Sequence, residues 1–552
     1  MIALETLLAK GYFPRELPPP FTTENYAAVL KDGTKISQDL LDKCPQSRPA
    51  IYNLARAGTL RRKLSILNPI SYYKLGKFVE QKWPDLEPLA KRSPLSLTQP
   101  VLNNPQRAIE RQTPLSDYPQ RRAAVRCAAR YVLQTDIARF YHSIYTHSIP
   151  WAIHGKAASK ADRSPKLWGN VLDTLIRDAQ DGQTMGIPIG PDISLAIAET
   201  ILGAVDQALL KRVKVRGLRY IDDYELSVDS LAEAETVQGA LQEVLNDFEL
   251  GLNGAKTEIL KLPLGLQEPW VSELGNFRIR RGQSTQHTDF IRYFDRAFAL
   301  AKEHPAEGVL KYAVGRAANI AVHLENRTVF QHLLLQCAMV EPGCLPKVLK
   351  VLCQFKAEND KKKQEAKILA EFEVKILGDK TPPAVVPDVI DEASLASTFN
   401  RIIHSHATQG HSSEVCWAIW GCLLFGIQIA DDAAKPLAVM DDPAAAILCL
   451  HAQQNGLLPS KDYFTGFQRF LTAQDLYGEQ WLVSYEANIK GWLKSPGGGD
   501  NVADDARFSI LKNNGVSFYN VNAIKNTFDE AAKSIVEEDY DDDEVSDEGY
   551  YG

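Results

Sequence analysis

From about residue 120 to residue 280, the spacing of apolar and polar positions switches between two periods. Around Ala128 to Thr135 a short apolar stretch centred on Tyr131-Val132-Leu133 predicts a buried strand. Ile193 to Leu210 sets its Ile, Ala and Leu at helical spacing and predicts an apolar-faced helix. Leu218 to Val228 alternates on both sides of a short break, the signature of a hairpin. Leu231 to Phe248 returns to the helical period, with Ala, Leu and Val on one side. Strand, helix, hairpin, helix is the order of a split βαβ unit.

The flanks read differently. The first hundred residues mix short helical patterns with proline punctuation, notably Pro18-Pro19-Pro20. Beyond about 286 the segments Phe290 to Ala301, Ala313 to Leu324, Val329 to Met339 and Leu345 to Gln354 all predict helices. Ser413 to Ile429, Pro443 to Asn455 and Gln480 to Leu493 do the same. Helices in succession with short links resemble a HEAT-type array, although no fixed repeat period is present. Lys361-Lys362-Lys363, a solvated face, and Pro382-Pro383 mark a loop between two helical blocks. After Pro496-Gly497-Gly498-Gly499 the chain turns polar and ends in an acidic tail with a disordered composition. The expected organisation is an N-terminal region over 1–115, a mixed core over 116–285, a helical domain over 286–495, and a linker with tail over 496–552. The fold class is α+β followed by all-α.

Composition narrows the class without redrawing this picture. At 552 residues, 45% hydrophobic and 24% charged, the chain has enough material for two or three ordinary cores. No apolar run reads as approaching the ~20 residues of a membrane span. Met1 to Thr6 lacks a basic-then-apolar leader, so no membrane partner is expected. Eight cysteines without a CxxC pair predict reduced thiols in a cytoplasmic protein. The net charge of −7 is uneven, because residues 537–548 hold nine acids and no base, leaving the remainder at +2. Lys91, Arg92, Arg107, Arg111, Arg121, Arg122, Arg126 and Arg130 crowd the stretch before Asp136, a phosphate-binding pattern or a solvated helical face.

The densest chemistry lies in Arg219-Tyr220-Ile221-Asp222-Asp223-Tyr224, where a hairpin lifts two adjacent carboxylates to a sheet edge. Upstream, Thr135-Asp136-Ile137-Ala138-Arg139-Phe140-Tyr141 adds a third acid at the end of an apolar run. Between them stands Met185-Gly186-Ile187-Pro188-Ile189-Gly190-Pro191-Asp192, and downstream Gly251-Leu252-Asn253-Gly254-Ala255-Lys256-Thr257. Each aspartate singly reads as an ordinary turn or strand-end residue. Together they suit two divalent cations about 3.5–4 Å apart, as nucleotidyl transfer requires. Hard cations take carboxylate oxygens, so Asp136 and Asp222 would bridge two Mg²⁺ ions (Mn²⁺ as a substitute), with the Ile137 carbonyl a further ligand and Asp223 more peripheral. His404, His406 and His411 lie close in sequence, but without cysteine partners at a recognised spacing they do not read as a zinc site.

In this order the motifs resemble those of reverse transcriptases. Asp136 to Tyr141 resembles their first palm motif, Gly186 to Ser194 the second, Tyr220-Ile221-Asp222-Asp223 the Tyr-x-Asp-Asp signature, and Leu252-Asn253 with Lys256-Thr257 the fourth. The resemblance implies palm and fingers. It makes Asp136, Asp222 and Asp223 catalytic and gives Lys256 the role of protonating pyrophosphate. It sets Tyr141 where a ring selects deoxynucleotides. Arg121, Arg122 and Arg126 would meet the triphosphate, and Pro188, Ile189 and Gly190 the incoming nucleotide. Ile189 departs from the glutamine most templated members carry, which weakens ordinary template-guided selection.

A narrower resemblance runs nearly the whole chain. Gly11-Tyr12-Phe13-Pro14-Arg15-Glu16-Leu17-Pro18-Pro19-Pro20, Tyr145 to Lys156, and Glu414 to Trp420 are similar to the abortive-infection reverse transcriptases, the AbiK-like group. That group implies protein-primed, untemplated synthesis of single-stranded DNA in antiphage defence, by a homo-oligomer whose helical-repeat domain replaces the thumb. Candidate priming residues are Tyr12, Tyr26, Tyr540, Tyr550 and Tyr551. Two other readings stay open: a reverse transcriptase templated by a bound non-coding RNA, and an idle palm serving as a binding module.

Overall fold

In the computed structural model the described residues are 2–56, 58, 60–102, 104–377, 386–460 and 463–537. Four antiparallel strands carry the centre, in the order β6-β7-β5-β8: β5 (Tyr131–Asp136), β6 (Arg216–Tyr220), β7 (Asp223–Val228) and β8 (Glu258–Lys261). Two small hairpins precede them, β1 (Ala50–Ala55) with β2 (Arg61–Ile66) and β3 (Pro100–Val101) with β4 (Glu110–Arg111). The apolar stretch read as Ala128 to Thr135 starts its strand at Tyr131, because Ala128 takes a positive φ of 64°. Register places Thr135 opposite Tyr224 and Asp136 opposite Asp223. Side chains alternate along a strand, so Tyr224, Leu226 and Val228 enter the core while Asp223 and Glu225 share the other face.

The Ile193–Arg212 and Leu231–Asp247 helices pack on each other, and the second also packs on β5 and β7. Leu241, Val244 and Leu245 are fully buried in the same core as Leu133 and Leu226. Ser230 caps the second helix by accepting the Glu233 N–H, which fixes where it starts. By length and composition alone Ile193–Arg212 could cross a bilayer, contrary to the expectation that no apolar run approaches that length. Its burial on nearly all sides, with Glu199 and Asp206 fully enclosed and ion-paired, marks a core helix instead.

Among the described residues no strand follows β8. Helices from Pro269–Asn276 to Ala523–Glu537 make up the rest, so the fold is mixed α+β with a long helical half. Two boundaries differ from expectation. Lys361 to Lys363 lie inside one helix, Leu345–Leu377, because nothing in that stretch breaks the helical period; Pro382 and Pro383 fall outside the described residues. The stretch after Pro496 is folded to 537: Phe508, Leu511, Phe518 and Tyr519 are buried, and Tyr519 bridges Phe21 near the start of the chain. Polar composition concealed a few large apolar anchors there.

Candidate active site

β6 and β7 are joined by a turn of two residues, Ile221 and Asp222. Ile221 takes φ 54°, a left-handed conformation that a β-branched residue adopts only under constraint. Three hydrogen bonds supply it. The Ile221 N–H donates to Thr98 Oγ1 (3.1 Å), Arg219 Nη1 donates to the Ile221 carbonyl (2.7 Å), and the Ile137 N–H donates to the Asp222 carbonyl (3.2 Å). The third ties the turn to the residue after Asp136.

Beneath the turn lies a closed ionic network. Arg219, Glu199 and Asp206 have fully buried side chains. Arg219 Nη1 and Nη2 reach Glu199 at 2.9 and 3.0 Å, and Nε reaches Asp206 at 2.8 Å. Thr98 Oγ1 donates to Glu199 at 2.6 Å, and the Tyr224 hydroxyl donates to Asp206 at 2.7 Å. The excess negative charge is met by hydroxyl donors, the condition under which buried ions are tolerated.

Asp136 ends β5 and is 6% exposed. One carboxylate oxygen, Oδ2, accepts from Lys256 Nζ at 2.7 Å; the other, Oδ1, is buried with no hydrogen-bond partner. Lys256 stands on a short 3₁₀ turn, Gly254–Lys256, started by Asn253, whose side chain accepts from the Ala255 N–H. The Asn253 N–H donates to the Asp136 carbonyl at 2.9 Å, locking the fourth motif to the first. Burial, then Asp223 and Asp136, push the Asp222 carboxyl up to about 6. Lost hydration and Asp136 also raise Asp223, against the pull of Lys256. The Asp136 bond raises Lys256 against its own desolvation.

An unpartnered buried carboxylate oxygen beside two reluctant acids is a donor set suited to hard divalent cations. The oxygens are not drawn into one tight ligand shell: the three aspartates do not all bring an oxygen within 4.8 Å of one another. Like charges held apart, with Lys256 taking one Asp136 oxygen, account for that spacing.

The remaining expected residues divide. Tyr141 is half-buried, its carbonyl accepts from the Ile187 N–H (2.9 Å), and burial, with Glu199 and Asp222 nearby, raises its hydroxyl pKa. Pro188 is buried, and the Ile189 carbonyl accepts from the Ser65 N–H on β2 at 2.6 Å. Gly190 sits at φ 130°, where a Cβ would meet Pro14 at 2.8 Å, and Arg107 pins this loop through Asp192 and the Phe13 carbonyl. Arg122 and Arg126 depart from expectation. Both pair with Glu225 of β7 (2.9 and 2.6 Å) and donate to the carbonyls of Leu266 and Gly265, so they brace the sheet rather than await a triphosphate. Arg121 is exposed.

Tyr12 and Tyr26 are likewise corrected as priming candidates. Both are fully buried, donating to the carbonyls of Leu67 and Pro69 inside an aromatic cluster with Tyr72 and Phe518. Tyr540, Tyr550 and Tyr551 fall outside the described residues. Sequence reasoning missed Arg62 on β2 and Arg56 just beyond β1. Arg62 is exposed and close enough to Arg56 and Asp222 to interact with both, and Arg56 in turn acts on Asp223. Basic residues flanking a hairpin break were the available signal. Arg111 Nη1 donates to the Tyr220 hydroxyl at 2.8 Å and holds the ring before the acid pair.

Residues 77–291 match the family profile of reverse transcriptase (RNA-dependent DNA polymerase). This segment is a reverse-transcriptase domain. With it the protein is a nucleotidyltransferase of the RNA-directed DNA polymerase type, a class of domain that works with divalent metal ions, nucleotides and nucleic acid. Comparison with curated proteins gives no match. Among solved structures, telomerase from Candida albicans, in complex with a TWJ fragment of telomeric RNA, is similar at 10% identity and a TM-score of 0.28. The similarity covers 80% of this chain and 69% of that one.

Proposed function

We propose that the protein is an antiphage DNA polymerase of reverse-transcriptase type, of the AbiK-like group, that adds deoxynucleotides to a primer borne on its own tyrosine without reading a template. The reading rests on one observation above the rest: Asp136 and Asp223 oppose each other across β5 and β7, with Asp222 on the clamped turn beside them and an Asp136 oxygen left for a ligand. In it Asp136 and Asp222, with the Ile137 carbonyl, would hold two Mg²⁺ ions, or Mn²⁺ in their place, with Asp223 more peripheral. Bound there, the ions supply activation of the attacking oxygen and charge neutralisation on the phosphates.

The chain's own groups do the rest. Arg62 and Arg56 lie near enough to Asp222 and Asp223 to act on them electrostatically, and offer the positive charge that Arg122 and Arg126 have committed elsewhere. Tyr141 closes the sugar side against a 2′-hydroxyl. Lys256, whose Nζ lies 2.7 Å from Asp136 Oδ2, donates a proton to the departing pyrophosphate. Ile189 offers no side-chain hydrogen bond to an incoming base, which favours untemplated addition. The helical half acts as a HEAT-like support in place of a thumb, and the protein works in the cytoplasm as a homo-oligomer. With Tyr12 and Tyr26 enclosed, priming falls to Tyr540, Tyr550 or Tyr551.

Purified protein incubated with labelled deoxynucleotides and Mg²⁺, after nuclease removal of co-purified RNA, tests the reading. The expected result is a labelled protein band that survives denaturation and shrinks with DNase. Product that appears only when RNA is retained would replace it with a templated mechanism. No product under either condition, with full protection by Asp222→Ala in cells, would leave a binding module.

A further inference from the structure

The link between the Glu392–Ala407 and Ser412–Phe425 helices gathers metal-ligating atoms that the polymerase reading does not use. His406 lies in the last turn of the first helix, His411 is the N-cap of the second, and Glu414 sits in the second helix's first turn. The chain reverses between them through Gly410 at φ 65°, which folds the two imidazoles onto each other. His404 turns away, its Nδ1 on the Asp432 carbonyl at 2.9 Å.

The two Nδ1 atoms are 2.9 Å apart, and Glu414 Oε1 lies 3.8 Å from that of His406 and 3.7 Å from that of His411. The latter two separations are too long for hydrogen bonds. They are instead two edges of a triangle whose centre stands about 2 Å from each corner, the length of Zn–N and Zn–O bonds. Among the described residues this is the group of three such side chains whose ligand atoms all lie within 4.8 Å of one another. Glu414 is 2% exposed and the imidazoles 21% each, so the protein closes one side while a water reaches the other.

We propose that His406, His411 and Glu414 form a zinc-type divalent metal site, completed by water, at the corner joining the helical half to the β1–β2 hairpin. Two imidazole donors of three select a borderline transition metal over Mg²⁺. Arg61 and Ser413 both donate to the Glu414 carboxylate and fix its position. Arg61 pairs with both Glu414 oxygens, orienting the carboxylate while diluting its charge, so the site binds less tightly than an all-anionic one.

The corner is fastened to β1. The Asn53 and Ala55 N–H groups donate to Ser412 Oγ (3.0 Å) and Ser413 Oγ (2.9 Å), and Asn53 Nδ2 donates to the Gly410 carbonyl (3.0 Å). A metal here stiffens the base of the hairpin that carries Arg56 and Arg62.

The site is independent of the polymerase reading and is tested apart from it. Full-length Asp222→Asn protein, made without a histidine tag, weakens the acid cluster as a competing metal site. Titrated with Co²⁺, it should develop a visible d–d band at one equivalent that Zn²⁺ bleaches and Mg²⁺ does not. The same Zn²⁺ should raise its melting temperature. Adding His406→Ala with His411→Ala, or separately Glu414→Gln, should remove the band or weaken Co²⁺ binding at least tenfold. No band in the Asp222→Asn parent, or a band that survives loss of both histidines, would reduce the cluster to a His–His hydrogen bond beside an Arg–Glu pair and overturn the proposal.

Discussion

At the scale of single residues, the site stores repulsion that a cation relieves. Asp222 titrates near 6 instead of an ordinary 3.8, so the folded protein binds its proton more tightly than the unfolded chain does. The sign follows by linkage: metal-free stability falls as pH rises from about 4 to about 6, then levels, with ionised Asp222 costing about 3 kcal/mol. Asp222→Asn should therefore melt higher than wild type at pH 7 in EDTA. In millimolar Mg²⁺ the order should reverse, because only wild type gains from the ion; calorimetry in the two buffers checks both signs. Incorporation by Asp222→Asn should fall at least 10³-fold, and Lys256→Ala should lower kcat about 10²-fold with KM little changed. These acids were legible because each motif is local and their order along the chain is informative. Arg122 and Arg126 were misread because their partner, Glu225, belongs to a strand about a hundred residues on, and only register puts it on the face they meet. Two arginines at i, i+4 and an acid in the interior of β7 were the clue.

The element that matters most is the β6–β7 turn, and its strain is maintained from below. Ile221 stays at positive φ because both its N–H and its carbonyl are engaged, by Thr98 and Arg219. Thr98→Val removes the Oγ1 acceptor at nearly constant volume. It should cost about 1–3 kcal/mol, from an N–H left unsatisfied and a hydroxyl donor lost from buried Glu199, and about tenfold in kcat, while near-native circular dichroism shows the sheet intact. Arg219→Met should cost about 3–5 kcal/mol, since it leaves Glu199 and Asp206 buried without a counter-charge. Arg219→Lys should recover little of that loss, because one ammonium cannot reach both acids and the Ile221 carbonyl. Denaturant melts of the three variants rank these costs. The helix behind the turn reads as apolar-faced, and pattern alone gave no reason for burying Glu199 and Asp206. The explanation, a buried arginine on β6, lies outside that helix.

Over the whole molecule, the first thirty residues and the segment around Phe518 are part of one core. Phe518 packs against Tyr12, Phe13, Tyr26, Trp481 and Tyr485, and the Phe518 carbonyl accepts from the Thr22 N–H at 3.0 Å. Trp481 Nε1 donates to the Ile66 carbonyl, and Asn68 Nδ2 to that of Leu476, so the helical half also holds the segment between β2 and the helix that follows it. Composition hid this closure, because Gly497 to Gly499 and the polar run after them resemble a linker while Phe508, Leu511, Phe518 and Tyr519 anchor it. Two truncations separate the consequences. A chain ending at 495 loses those anchors and exposes the aromatic cluster around Tyr12, so it should aggregate or melt without cooperativity. A chain ending at 537 keeps every described contact and should melt with the full protein. If priming resides in the tail, this shorter chain should lose the denaturation-resistant protein–DNA band yet still extend an added DNA 3′ hydroxyl, because Asp136, Asp222 and Asp223 are intact. The full-length triple variant Tyr540→Phe, Tyr550→Phe, Tyr551→Phe should behave alike, since it removes three hydroxyls and nothing else. Persistence of the band in that variant would move the primer to a tyrosine of the folded body. A half-exposed ring near the cleft would then be required, because Tyr12 and Tyr26 cannot reach the acids without opening the core that Phe518 closes.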